Sequence, residues 1–285
     1  MSRLVIGTVQ FGLDYGIFNK TERTSSINIK NILTLAAKSN INMLDTAYSY
    51  GCSEQALGEV GIKDFQVITK TSPLNKGVEN VVDCFYQSLK KLNKTEIYGL
   101  LIHNIDEVTS KDFSRLYKNI INFQEQGLIQ KIGFSSYTPQ QVNFLLENFD
   151  FDLIQLPINI FDQRLINGGQ LMQLKNKGIE IHARSVFLQG ILLELKKIPR
   201  FFLEWKNHFD MYENELNGNS LLDFALGFVL NISEIDKVVI GVNNCQQFEE
   251  IIESSQKKIN FKSEDMKKFG IDDVNLLNPS NWKTP

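Results

Sequence analysis

The chain has 285 residues, of which 42% are hydrophobic and 22% charged, with a formal net charge of −3. That balance suits a soluble globular protein with a sizeable core, built as two domains or as one α/β barrel of roughly 250 residues or more. Charges of both signs are interspersed and no basic tract occurs, which argues against non-specific nucleic-acid binding. Cys52, Cys84 and Cys245 are widely spaced and lack C-x-x-C pairing, so neither a disulfide framework nor structural zinc is expected. The opening MSRLVIGTVQFG lacks the apolar core of a signal peptide. No apolar stretch approaches the roughly 18 residues of a membrane span. A reducing cytoplasm and no membrane association are the expectation.

Strand-like and helix-like patterns alternate along the chain. Leu4–Val9 reads as a strand, Ser26–Lys38 as a helix, Ile41–Ala47 as a strand and Ser53–Val60 as a short helix with Ser53 at or near its cap. Phe65–Thr71 is strand-like, and Val78–Leu92 is helical with Val81, Val82, Phe85, Leu89 and Leu92 on one side. Ile97–His103 is a strand, Lys111–Gln126 a helix and Lys131–Tyr137 a strand. Thr138-Pro139-Gln140-Gln141 then has the chemistry of a helix start: an N-cap threonine, proline in the first turn and a capping-box glutamine. Asp152–Pro157, Ile179–Ser185 and Val238–Val242 complete the strands, and Gly169–Lys177, Leu221–Leu230 and Cys245–Ser254 the helices. Eight β-runs separated by helices imply a parallel sheet closed into a (β/α)8 TIM barrel, with residues 1–285 as a single domain.

Two stretches fall outside the rhythm. Residues 189–219 are long for a βα loop and carry Phe201, Phe202, Trp205, Phe209 and Tyr212. They are expected either to cover the site or to pack as a surface helix on the barrel. The tail from about Lys262 is expected to wrap the barrel or reach its mouth. No G-x-G-x-x-G follows a strand, and P-loop and H-E-x-x-H motifs are absent, so no metal site is expected.

Three of the early strands end in different ionisable residues: Asp45, Lys70 and His103, with Tyr50 five residues after Asp45. In a parallel barrel these ends share one face. A free tyrosine has a pKa near 10, and a cation within about 4–6 Å lowers it. Lys70 is placed to be that cation, Asp45 to hold it, and His103 to bond a substrate oxygen. Tyr50 would then pass a proton to or from a carbonyl oxygen, with hydride from a cofactor. Each residue alone has a plainer explanation: a turn cap, a packed ring, a solvated charge, a structural imidazole. The coincidence of all four points to catalysis.

The segment LDTAYSYGCSE (Leu44–Glu54) resembles a signature of the aldo-keto reductases. GTVQFG, VITKT, LLIHN, GLIQKIGFSSY, DLIQLPINIFD and VVIGVNNCQQFEE resemble further strand motifs of that family, in order. The resemblance implies a (β/α)8 barrel, NADPH or NADH as cofactor and a small-molecule aldehyde or ketone, sugar-like or anionic, as substrate. It assigns Tyr50 as general acid/base, with Lys70, Asp45 and His103 as its partners. Gly7, Thr8, Ser135, Ser136, Gln155, Arg184, Ser185, Gly241, Asn243, Gln247 and Glu250 fall at cofactor positions. Gln10, Tyr15 and Asn104 are the expected substrate contacts. No oligomeric state is specified.

Two departures stand out. Arg184 occupies the place of an aromatic ring for the nicotinamide, and is expected to bridge a cofactor phosphate or grip an anionic substrate. Val238–Ser255 carries no Lys or Arg for a 2′-phosphate, so preference for NADPH should be weak or lost unless Lys257 or Lys258 reaches in. The N-terminal hairpin that plugs many family barrels has no room, which leaves that end to other elements, with the tail as a candidate. Competing readings are a cofactor-binding regulatory barrel with little turnover, and a Schiff-base lyase using Lys70.

Overall fold

The computed structural model describes residues 2–19, 23–259, 261 and 263–282. Eight strands pair in parallel in chain order and close, β8 returning to β1. They are β1 (Leu4–Gly7), β2 (Met43–Asp45), β3 (Gln66–Lys70), β4 (Ile97–Ile102), β5 (Ile129–Ser135), β6 (Leu153–Pro157), β7 (Glu180–Arg184) and β8 (Lys237–Gly241). A helix follows each strand: α1 (Ser26–Lys38), α2 (Ser53–Val60), α3 (Val78–Leu92), α4 (Phe113–Glu125), α5 (Pro139–Asn148), α6 (Gln170–Asn176), α7 (Leu221–Leu230) and α8 (Cys245–Ser255). The expected (β/α)8 barrel is the observed fold. Most strands are shorter than the patterns suggest, whereas β5 and β8 keep the expected length but start two and one residues earlier. Val9 leaves the first strand because the chain turns at Thr8, whose N–H makes the last bond to Asp45 O (2.9 Å) before a helical turn over Val9–Gly12.

Local chemistry explains the helices. In α3, Val78, Val81, Phe85, Leu89 and Leu92 recur at helical spacing and are buried, and Asn93 ends the helix in the left-handed region (φ 52°). At α5 the capping box forms as expected: Thr138 Oγ1 accepts from Gln141 N, and Gln141 Oε1 accepts from Thr138 N, each at 3.2 Å. Ser53 is not a cap. It is the first residue of α2, and its hydroxyl turns inward.

Registered neighbours share a face, so the inward side chains follow by alternation along each strand. At mid-height they form a small apolar cluster of Val5, Met43, Ile68, Leu101 and Leu153. Below it, towards the strand N-termini, Glu180 accepts from Tyr98 Oη (2.6 Å) and from Lys131, and bonds His182 Nε2 (2.6 Å). Burial alone would raise the Glu180 carboxyl, but these three partners outweigh it and hold it at about 2. This polar quartet, and not the tail, fills the lower interior.

The tail packs beside the segment after β6 instead. Ile271 N bonds Phe161 O (2.9 Å), and Gln163 Nε2 bonds Met266 O (2.7 Å). Lys262 and residues 283–285 of the expected tail lie outside the described residues. The 189–219 stretch divides between its two expectations. Gln189, Gly190, Leu193 and Glu194 border a cleft at the strand C-termini. Phe202, Trp205, Phe209 and Tyr212 are buried, with Trp205 Nε1 on Asp273 (3.1 Å) and Phe202 against Trp282 (5.1 Å between centroids).

Two glycines set the loop between β2 and α2. Gly51 turns the chain at φ 58°. Gly12 lies so close to this loop that a Cβ would sit 1.8 Å from Tyr50 O and 2.5 Å from Ser53 N. Ser53 Oγ bonds Thr8 Oγ1 (2.8 Å) and Thr46 Oγ1 (3.1 Å), and Thr8 Oγ1 donates to Asp45 O (3.0 Å), which ties α2 to two strand ends. Because the obstacle is backbone, Gly12→Ala must displace the Tyr50 loop. The substitution is expected to cost about 2 kcal/mol or more in denaturant unfolding and about tenfold or more in kcat/KM. Wild-type stability and rate in this variant would show that the contact is easily relaxed.

Candidate active site

The strand C-termini surround a cleft of about 590 Å³, within the usual range for a small-molecule site. At its floor lies Lys70, 2% exposed. Two of the three ammonium donors are committed, to Asp45 Oδ1 (2.7 Å) and Thr46 O (3.0 Å), and Nζ lies against Tyr50, 5.0 Å from its ring centroid. Asp45 Oδ2 accepts from Gln155 Nε2 at 2.7 Å. Burial pulls the Lys70 pKa down, but Asp45 and Tyr50 outweigh it and raise it, so the side chain stays an ammonium. A lyase would need this amine neutral and free. The arrangement suits electrostatic support of Tyr50 instead.

Burial raises the Tyr50 pKa, while the Lys70 charge and hydrogen bond work against the rise and Asp45 adds to it. The phenol therefore keeps its proton at neutral pH. His103 meets it edge-on, with ring centroids 5.9 Å apart and planes at 82°. Its backbone N–H is fixed by Thr71 Oγ1 (3.1 Å). Burial, with the Lys70 and Arg184 charges, pushes His103 down to about 4 against the opposing pull of Asp45. At neutral pH it is an uncharged imidazole, able to donate one N–H and accept one bond. The four catalytic candidates thus converge on one end of the cleft.

Gly7, Thr8, Gln10, Tyr15, Ser135 and Gln155 line the same end or the adjoining wall. Gln10 Oε1 is buried and has no partner among the described residues. The Tyr15 hydroxyl accepts from Gln189 Nε2 (3.0 Å) across the cleft, and burial pushes its pKa up to about 12. Ser185, Gly241, Asn243, Gln247 and Glu250 line the far arm. Between them the loop after β7 holds Ser185, Leu188 and Gln189 at φ 58°, 47° and 53°. Three non-glycine residues in the left-handed region carry strain of about 1–3 kcal/mol each, which tends to gather at ligand-binding loops.

Two expected contacts do not border the cleft. Asn104 points away because its side chain caps the next turn, accepting from Asp106 N (3.1 Å). The Ser136 hydroxyl is buried against Gln141 Oε1 (3.2 Å), although its carbonyl accepts from Arg184. Sequence patterns do not single out Gln189, Glu194 or, above all, Tyr137. Its ring lines the cleft and lies 4.0 Å beneath the Arg184 guanidinium. Its place two residues beyond Ser135 at a strand end was the available signal.

The cleft has a mixed polar and apolar lining that includes the catalytic candidates, the strained loop after β7 and residues at the start of α8. An extended dinucleotide fits it. Ser135 and Gln155 would hold the nicotinamide end, and Asn243, Gln247 and Glu250 the nucleotide end.

Comparison with known proteins agrees. The model of the aldo/keto reductase family matches residues 3–271. D-arabinose 1-dehydrogenase of Saccharomyces cerevisiae is 23% identical over 300 aligned positions, covering 92% of this chain and 87% of its own. An aldo-keto reductase from Bacillus halodurans, in its holo form, superposes with a TM-score of 0.77 at 18% identity, covering 99% of this chain and 94% of its own. Its apo form gives 0.71 at 18% identity, covering 92% and 90%. The chain belongs to the aldo/keto reductase family and is an NAD(P)H-dependent oxidoreductase acting on carbonyls.

Proposed function

We propose that this enzyme interconverts a polyhydroxy aldehyde or ketone and its alcohol, with Tyr50 as proton donor in reduction and proton acceptor in oxidation. The observation that carries the reading is the buried Lys70 ammonium, paired with Asp45 at 2.7 Å and set 5.0 Å from the Tyr50 ring centroid. The sugar-like substrate rests on the likeness to a D-arabinose 1-dehydrogenase and on polar groups such as Gln10, Tyr15 and Gln189 around the mouth.

A bound nicotinamide supplies the hydride. The neutral His103 donates a hydrogen bond to the substrate oxygen and sets it beside Tyr50. As the carbonyl carbon gains hydride, its oxygen gains negative charge. Lys70 makes the Tyr50 proton easier to give up at that moment, because its cation stabilises the phenolate left behind. Asp45 and Gln155 keep Lys70 charged and in place. The sum is carbonyl plus reduced cofactor plus one proton, giving alcohol plus oxidised cofactor.

NADH is the preferred cofactor in this reading. Glu194 and Glu250 border the arm of the cleft, and among the described residues that arm has no Lys or Arg. Lys257, one candidate for a 2′-phosphate, bonds Asp223 (2.7 Å). Lys258 borders a separate groove. Lys197 is engaged with Glu194 (3.1 Å), so a 2′-phosphate would meet the Glu250 carboxylate without a dedicated cation. Residues 1–285 act as one unit, and a cytoplasmic setting fits three free cysteines.

Tyr50→Phe should lower kcat about 100-fold or more in either direction while NADH still binds, as read by nicotinamide fluorescence. A variant with wild-type turnover sinks the assignment. In the wild type, reduction requires the protonated phenol and should hold across neutral pH, then fall as pH rises through the Tyr50 pKa. Oxidation requires the phenolate and should rise over the same interval. A reduction rate that climbs with alkaline pH contradicts that sign.

Titration is expected to give a lower Kd for NADH than for NADPH, and Glu250→Lys should narrow the gap about tenfold. Tighter binding of NADPH by the wild type would overturn the cofactor assignment.

A further inference from the structure

Arg184 is a cation with unused capacity at the catalytic mouth. It ends β7 on the inward face and borders the cleft. Nη1 donates to Ser185 Oγ and Nη2 to Ser136 O, both at 3.2 Å. A guanidinium has five N–H donors, so these two bonds leave most of its fork available. Among the described residues no carboxylate lies within 4.0 Å of it. The acid that feels its charge, Asp162, is already held by the fork of Arg164 at 2.7–2.8 Å. The Tyr137 ring, 4.0 Å from Cζ, keeps the plane fixed. Its charge acts at the same time on Tyr50, Tyr15 and His103.

The direction of the side chain matters. Both the Ser136 carbonyl and the Tyr137 ring draw it towards β5, while the nucleotide arm, with Glu250 and Gln247, lies on the β8 side. The charge count at the mouth also matters. Lys70 is balanced by Asp45 at 2.7 Å, and His103 is neutral at pH 7. Arg184 is therefore the uncompensated charge there.

We propose that the substrate of this enzyme carries a carboxylate or a phosphate ester, gripped by the Arg184 fork on its Tyr137 platform while the carbonyl oxygen meets Tyr50 and His103. The proposal rests on the reading of Tyr50 as the proton donor and adds the chemical class of the substrate. Arg184 is in this view the specificity determinant of the site.

The test compares matched neutral and anionic carbonyls with NADH: butanal with succinic semialdehyde, and D-glyceraldehyde with its 3-phosphate. The ratio of kcat/KM, anionic over neutral, is measured in the wild type, Arg184→Met and Arg184→Lys. The wild type should favour the anionic member of at least one pair about tenfold or more. Arg184→Met should lower that ratio about 10- to 100-fold, mainly through KM, whatever happens to the absolute rate. Arg184→Lys should recover part of it, since a point charge replaces the fork. The responding pair tells carboxylate from phosphate. A wild-type ratio near one, or a ratio unchanged in Arg184→Met, overturns the proposal.

Calorimetric titration with succinate and with 3-phosphoglycerate reads the anion grip without turnover. Binding by the wild type that is lost in Arg184→Met supports the proposal, and absent or equal binding refutes it. Failure of the oxidoreductase reading itself would appear differently, as no NADH oxidation with any carbonyl and no difference between the wild type and Tyr50→Phe.

Discussion

A fully buried ammonium needs a partner for every proton, and much of this site follows from meeting that demand at Lys70. Breaking a buried ion pair by removing one partner costs about 3–5 kcal/mol, because the remaining charge is left uncompensated. Asp45 and the Thr46 carbonyl each take one N–H, and Tyr50 packs against the ammonium. Gln155, from the far side of the barrel, occupies the other Asp45 oxygen. β2, β3 and β6 must therefore end at matched heights, and the barrel closure supplies that match. Catalytic competence and local stability rest on the same contacts.

The cleft is electrically divided. Its catalytic end holds two cations against one carboxylate, whereas the distal arm is bordered by carboxylates. The dividing element is the loop after β7, which starts at Arg184 and passes through three strained residues before Glu194. One short segment thus brings Arg184 to one end of the cleft and the Lys197-paired Glu194 to the other. Sequence neighbours with opposite signs reach different ligand parts because the backbone reverses between them.

Much of this was legible in the chain. Alternating β- and α-patterns gave the barrel, since each element buries one face with its own period. The Thr138–Gln141 cap was readable because all its partners lie within four residues. The convergence of Asp45, Lys70, His103 and Tyr50 needed only the rule that parallel strands end on one face. What escaped notice depends on competition among neighbours. Asn104 is taken by a local turn, and the Ser136 hydroxyl by Gln141. The Ser53 hydroxyl serves Thr8 and not its own helix. The Tyr137–Arg184 pair joins residues on β5 and β7, and no local pattern announces it. The tail packs on the barrel without plugging its lower end, because its residues have partners, such as Phe161 and Phe202, on segments whose position only the fold defines.

The lower interior has a consequence of another kind. Tyr98, Lys131 and His182 all bond Glu180 below an apolar storey that separates them from the catalytic groups. The barrel is thus built like two sealed floors with insulation between them. Drift in the lower set is judged by folding alone, and drift in the upper set by chemistry. A lineage can exchange substrates at the mouth while inheriting its foundation unchanged.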